Sequence, residues 1–142
     1  MPIVDSDHLT TTTMLSLDKV NVLLVEDEYI NAWALANSLK VHCHIRHAAT
    51  KEEALYWIQR EDFQFVLLDI HLGQSREAGI EILPEIKRKQ PNCQVFATTG
   101  YGTANDEGRF LALGFHAFYP KPLDEERIIF EIRSFSESRN VA

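Results

Sequence analysis

The sequence predicts an α/β fold: five parallel strands, each followed by a helix, wound into one sheet with helices on both faces. Three observations carry this expectation. Short apolar runs alternate with stretches of helical spacing along nearly the whole chain. The run Phe65-Val66-Leu67-Leu68 is unbroken by polar residues, as a central parallel strand covered on both faces requires. Three of the runs end in charge: Val22-Leu23-Leu24-Val25 leads into Glu26-Asp27-Glu28, the central run into Asp69, and Phe115 to Tyr119 into Lys121-Pro122. Parallel strands open their carboxyl ends onto one crevice, so three of these carboxylates and one ammonium would meet there.

Residues 1–19 show no periodicity and contain the low-complexity patch Thr10-Thr11-Thr12-Thr13, so a mobile tail is expected before a domain over 20–138, with 139–142 as a short C-terminal tail. Strand 1 is expected at Val20–Glu26. A helix over about 28–40 follows, with Ile30, Trp33, Ala34 and Leu39 as its apolar side. A weaker strand, His42–His47, belongs at the sheet edge. Thr50 caps the second helix, Glu53 completes a capping box, and Ala54, Leu55 and Ile58 face inward. Strand 3 is Phe65–Asp69, followed by a polar loop over 73–78 and a helix over about 79–90 that Pro91 stops. Strand 4 is Cys93–Thr98. A fourth helix covers about 103–113, Gly114 ends it, and Phe115–Tyr119 is strand 5. The last helix, about 123–138, has Ile128, Ile132 and Phe135 on one stripe. Five such units predict three layers with right-handed crossovers.

The 142 residues suit one domain with a core that needs neither disulfides nor structural metal. A net charge of −7 argues against general binding to nucleic acid or anionic membranes. No apolar run reaches the length of a membrane span and no leader pattern opens the chain, so a cytoplasmic protein is expected. Cys43 and Cys93 form no close-spaced motif and read as reduced, partly buried thiols.

The crowded carboxylates ask for a hard cation such as Mg²⁺. A lysine opposite a site so balanced awaits an added anion, and phosphate is the obvious one. At these residues the chain resembles the receiver domain of two-component response regulators, the CheY-like superfamily, over about 20–138. The acid pair is Glu26 and Asp27, the phosphoacceptor Asp69, the hydroxyl-small pair Thr99-Gly100, the lysine-proline pair Lys121-Pro122, and the aromatic switch position Phe118. The resemblance implies a flavodoxin-like three-layer sandwich of strand order 2-1-3-4-5 and a cis peptide before Pro122. It implies that Asp69 takes a phosphoryl group from a phosphohistidine, on a histidine kinase or a histidine phosphotransfer protein. Mg²⁺ would be held by Glu26, Asp27, Asp69 and the backbone carbonyl of His71. Lys121 and Thr99 would each bind a phosphoryl oxygen. Movement of Thr99 and Phe118 would then alter the face formed by the fourth helix, fifth strand and fifth helix, through which partners or a homodimer would read the signal. His71 and Tyr101, two residues after Asp69 and Thr99, would flank the route of the hydrolytic water.

Three features depart from the common receiver pattern. The loop between Asp69 and Gly79 is about two residues longer than is common. The acid pair is Glu-Asp with Asn31 four residues after Asp27, as in receivers of hybrid kinases and phosphorelays, although Glu28 stands where those have asparagine. Phe118 lacks the hydroxyl of the common tyrosine, so switching would rest on packing. With no output segment after residue 138, the signal would pass to a partner protein unless the chain is part of a longer one. A haloacid-dehalogenase-type phosphatase shares the aspartate, Mg²⁺ and lysine, but needs a second aspartate where this chain has His71. A degenerate receiver acting as a constitutive protein-binding module is opposed by the complete set of site residues. A metal site at His42, His44 and His47 competes with a plain solvated edge strand. The stretch Thr98 to Thr103 looks like a flavodoxin phosphate loop, but such a loop belongs after strand 1, where this chain carries acids.

Overall fold

A computed structural model describes residues 20–73, 77–100 and 106–141, with side chains of the last helix through Glu137. The expected tail over 1–19, Tyr101 and most of the loop after Leu72 lie outside these residues. The elements are β1 (Val20–Val25), α1 (Tyr29–Leu39), β2 (Cys43–Ala48), α2 (Lys51–Arg60), β3 (Phe65–Asp69), α3 (Ala78–Lys89), β4 (Gln94–Thr99), α4 (Asp106–Leu113), β5 (Ala117–Pro120) and α5 (Glu125–Val141). All strand pairs are parallel, and the sheet order is β2-β1-β3-β4-β5. The apolar run of β3 is therefore central, and every one of its residues is buried.

Alternation along the strands divides the core in two. Leu23 and Val25 of β1 join Val66, Leu68, Val95 and Ala97 beneath α2, α3 and α4. Val20, Val22 and Leu24 point the other way, with Phe65, Leu67 and Phe96, beneath α1 and α5. The rings of Phe65 and Phe96 stack at 5.3 Å and lie under Ile128 and Ile132 of α5. Both cysteines are buried and unpaired with each other. No helix among the described residues is long and apolar enough to cross a membrane.

Local signals set most boundaries. The Thr50 hydroxyl accepts from the Glu53 N–H at 3.1 Å, capping α2. Glu53 reaches back to the Ala49 N–H at 2.7 Å, one residue earlier than a regular capping box would have it. Gly114 follows α4 with φ +114°, a conformation L side chains avoid. Pro84 sits inside α3 but on its exposed side, so its ring meets solvent rather than the sheet.

One orientation differs from the expectation. In α1 the buried residues are Ala32, Leu35 and Leu39, while Ile30, Trp33 and Ala34 face outward. Trp33 is 70% exposed and Ile30 75%. Apolar residues surround this helix almost completely, so periodicity alone selects no face. Contact with Val22, Leu24 and Leu67 on the sheet selects the one with small and γ-branched side chains.

Candidate functional site

The ends of β1, β3 and β5 meet at one point. After β1, the Glu26 N–H donates to the Ala48 carbonyl at 2.9 Å, which extends the β1–β2 ladder and fixes the acidic turn. Glu26 is buried at 5% exposure, and its Oε2 accepts from the Glu28 N–H at 3.1 Å. Asp27 is exposed, and its Oδ2 accepts from the Gly73 N–H at 2.8 Å. Gly73 has φ +60°, which lets the loop after Asp69 turn its amide toward that carboxylate. Asp69 ends β3 at 3% exposure, and its Oδ1 accepts from the His71 N–H at 3.0 Å.

Lys121 joins the acids. Its ammonium donates to Glu26 Oε1 at 2.7 Å and to Asp69 Oδ2 at 2.9 Å. Its backbone N–H donates to the Thr99 carbonyl at 2.8 Å, and its peptide bond to Pro122 is cis. Burial pushes the Asp69 carboxyl up to about 6, against the pull of Lys121 and the His71 amide and with the Glu26 charge adding to the rise. Burial alone would depress the Lys121 ammonium, but Glu26 and Asp69 outweigh it and hold the group above its ordinary value. One lysine among three carboxylates leaves the site with net negative charge.

That donor set suits a hard divalent cation. One oxygen from each of Glu26, Asp27 and Asp69 falls within 4.8 Å of the others, and this is the one such group among the described residues. Carboxylate oxygens without thiolate or imidazole match Mg²⁺ or Ca²⁺ rather than zinc. The β2 histidines form no comparable group. His47 instead donates from Nε2 to the Glu26 carbonyl oxygen at 2.6 Å, holding the acidic turn, and Tyr29 packs edge-on against its ring.

Thr99 ends β4 at 1% exposure, and its Oγ1 lies 3.2 Å from Nδ1 of His71. Phe118 is already in the core, stacked on Phe110 of α4 at 5.3 Å and 24°. Pro122 is exposed beside Lys121, and Tyr101 lies outside the described residues. Sequence reasoning missed His47, whose role depends on the β1–β2 register that sets Leu24 beside His47 and Val25 beside Ala48. The tight packing at Gly79 appears only in three dimensions. A Cβ there would stand 2.6 Å from the Asp69 carbonyl oxygen and 2.8 Å from Ile70 Cα, so only glycine lets α3 begin against the backbone of Asp69.

Residues 22–133 match the model of the response regulator receiver domain family. The nitrogen assimilation regulatory protein NtrX of Azorhizobium caulinodans is 29% identical over 110 residues, covering 77% of this chain and 24% of that protein. A cyclic di-GMP phosphodiesterase of Thermotoga maritima is 31% identical over 115 residues, covering 80% of this chain and 30% of that protein. The chain spans between about a quarter and a half of the length of the curated relatives it matches. Among solved structures, a CheY-like receiver domain protein of Methanospirillum hungatei shares the fold with TM-score 0.74 at 24% identity, over 86% of this chain and 97% of that one. A response regulator of Burkholderia pseudomallei, solved with a phosphorylated aspartic acid, calcium ion and citrate, superposes with TM-score 0.72 at 25% identity, over 87% of this chain and 72% of that one. With the family match running from β1 into α5 and the acids gathered at the strand ends, the chain belongs to the response regulator receiver domain family.

Proposed function

We propose that this chain is a cytoplasmic phosphorylation switch whose acceptor is Asp69. The observation that carries the reading is the Lys121 ammonium held between Glu26 and Asp69, opposite three carboxylate oxygens within 4.8 Å of one another. An Asp69 oxygen attacks the phosphorus of a phosphohistidine on a histidine kinase or histidine phosphotransfer protein. The P–N bond breaks as the P–O bond forms, the imidazole leaves, and an aspartyl phosphate remains.

Glu26, Asp27, Asp69 and the His71 carbonyl would hold Mg²⁺, which when bound supplies positive charge against the phosphoryl oxygens. Lys121 then exchanges its bond to Asp69 for one to a phosphoryl oxygen, while Glu26 keeps its other bond. Burial of Asp69 and Glu26 excludes bulk water and strengthens each of these contacts. The Burkholderia relative, with its phosphorylated aspartic acid and calcium ion, supports the same assignment here.

Thr99 supplies the second phosphoryl contact and passes the change to the α4–β5–α5 face, where a downstream protein or a second copy reads it. Because the Phe118 ring already lies in the core, the change there is a repacking of its stack on Phe110 rather than the entry of an exposed ring. The chain assists only its own phosphotransfer and dephosphorylation. A phosphatase of the haloacid-dehalogenase type lacks its acid here, since His71 stands in that place.

Incubation with Mg²⁺ and acetyl phosphate should add one base-labile phosphoryl group, read by intact mass. Asp69→Asn should take up none, because a carboxamide is not a competent nucleophile. Label persisting in that variant would move the chemistry to another residue.

A further inference from the structure

We propose that the His71 side chain is a positioning residue that detains the Thr99 hydroxyl until a phosphoryl group is present; this rests on the reading of Asp69 as the phosphoacceptor. The Asp69 carboxylate is served by the His71 N–H on Oδ1 and by Lys121 on Oδ2. The Thr99 hydroxyl is directed elsewhere, to Nδ1 of His71 at 3.2 Å, in a place that leaves Thr99 1% exposed. A hydroxyl has one proton to donate. In the tautomer that carries the imidazole proton on Nε2, the hydroxyl donates to Nδ1, and its proton is then withheld from the position a phosphoryl oxygen would take.

The exchange is discrete. Thr99 is β-branched and buried, so its hydroxyl moves between staggered wells rather than drifting. Its backbone is fixed at the same time, because the Thr99 carbonyl accepts from the Lys121 N–H at 2.8 Å. A phosphoryl oxygen carries charge and outbids a neutral imidazole nitrogen for the proton, so phosphorylation drives the rotation. The bond to His71 must first be given up, and that cost sets how much occupancy is needed to move Thr99. His71 thus contributes to the site twice, through its backbone N–H on Asp69 and through its ring on Thr99.

The test uses beryllofluoride, an inorganic stand-in for the phosphoryl group, titrated in saturating Mg²⁺ and read by fluorine NMR. His71→Ala should bind it about fivefold tighter than wild type, the worth of one neutral hydrogen bond no longer opposing Thr99. His71→Asn, whose carboxamide oxygen can accept where Nδ1 does, should return the affinity to the wild-type value. In a Thr99→Val background, His71→Ala should change nothing, since no hydroxyl remains to detain. Equal or weaker binding by His71→Ala overturns the proposal, as does a gain that Asn fails to reverse or that survives in Thr99→Val. Failure of wild type itself to bind beryllofluoride overturns the acceptor reading and the latch with it. Wild-type binding with an unresponsive His71 removes the latch alone.

Discussion

At the scale of single residues, Tyr119 and Lys121 are opposites separated by one proline. Lys121 is fully engaged, with one bond to each of two buried carboxylates. Tyr119 carries its hydroxyl into the core under α5, where it finds no partner among the described residues. Burial pushes that hydroxyl up to about 12, with Glu131 adding and Arg127 opposing. The ring is well used, packed on Phe96 and covered by the Arg127 guanidinium at 5.0 Å. A buried hydroxyl without a partner costs about 1–3 kcal/mol. Tyr119→Phe keeps the ring and removes the cost, so it should raise the urea midpoint by an amount worth about 1 kcal/mol, with an unchanged m-value. A lower midpoint would show that the hydroxyl is satisfied in solution. The acids, Asp69 and Lys121 are legible in the sequence because each stands at or just after the end of a strand. The Thr99–His71 contact is not, since it joins two strand ends that the sequence shows only as separate motifs.

At the scale of elements, α1 shows where periodicity runs out. Its residues Tyr29, Ile30, Ala32, Trp33, Ala34, Leu35, Ala36 and Leu39 give apolar character to nearly every side. The large side chains Ile30 and Trp33 invite an inward assignment, yet the sheet face accepts Ala32, Leu35 and Leu39. A strand surface already filled by Val22, Leu24 and Leu67 leaves room for alanine and leucine more readily than for an indole. Leu35→Ala should therefore cost about 2–5 kcal/mol, as a truncation at a buried site does. Trp33→Ala should cost less than about 0.5 kcal/mol. Denaturant melts of the two variants check this, and equal losses would mean that Trp33 is packed. By contrast α2 was readable, because Thr50 and Glu53 mark its start and Ala54, Leu55 and Ile58 turn inward, with Trp57 packed beside them.

At the scale of the whole molecule, the sheet carries a local electrostatic load at one end. Glu26, Asp27 and Asp69 share one lysine in a chain whose net charge is −7. A cation bound only by the folded site stabilises the fold by mass action, about 2–3 kcal/mol near a hundredfold excess over its dissociation constant. Mg²⁺ should raise the melting temperature accordingly, and Asp27→Ala should lose most of the shift while keeping the buried Glu26–Lys121–Asp69 bridge. If millimolar Mg²⁺ leaves wild type and variant alike unmoved, the metal assignment is wrong.

The sequence by itself determined the order of strands and helices, the central place of β3 and the set of charged residues at the strand ends. These are properties of local spacing: an unbroken apolar run, a cap, a charge immediately after a strand. The tertiary structure alone decided which face of α1 is buried, that His47 holds the Glu26 carbonyl, that Gly79 must lack a side chain against Asp69, and that Thr99 meets the ring of His71. Each depends on residues far apart in the chain approaching within a few ångströms, a relation that register and packing create and that no local pattern encodes.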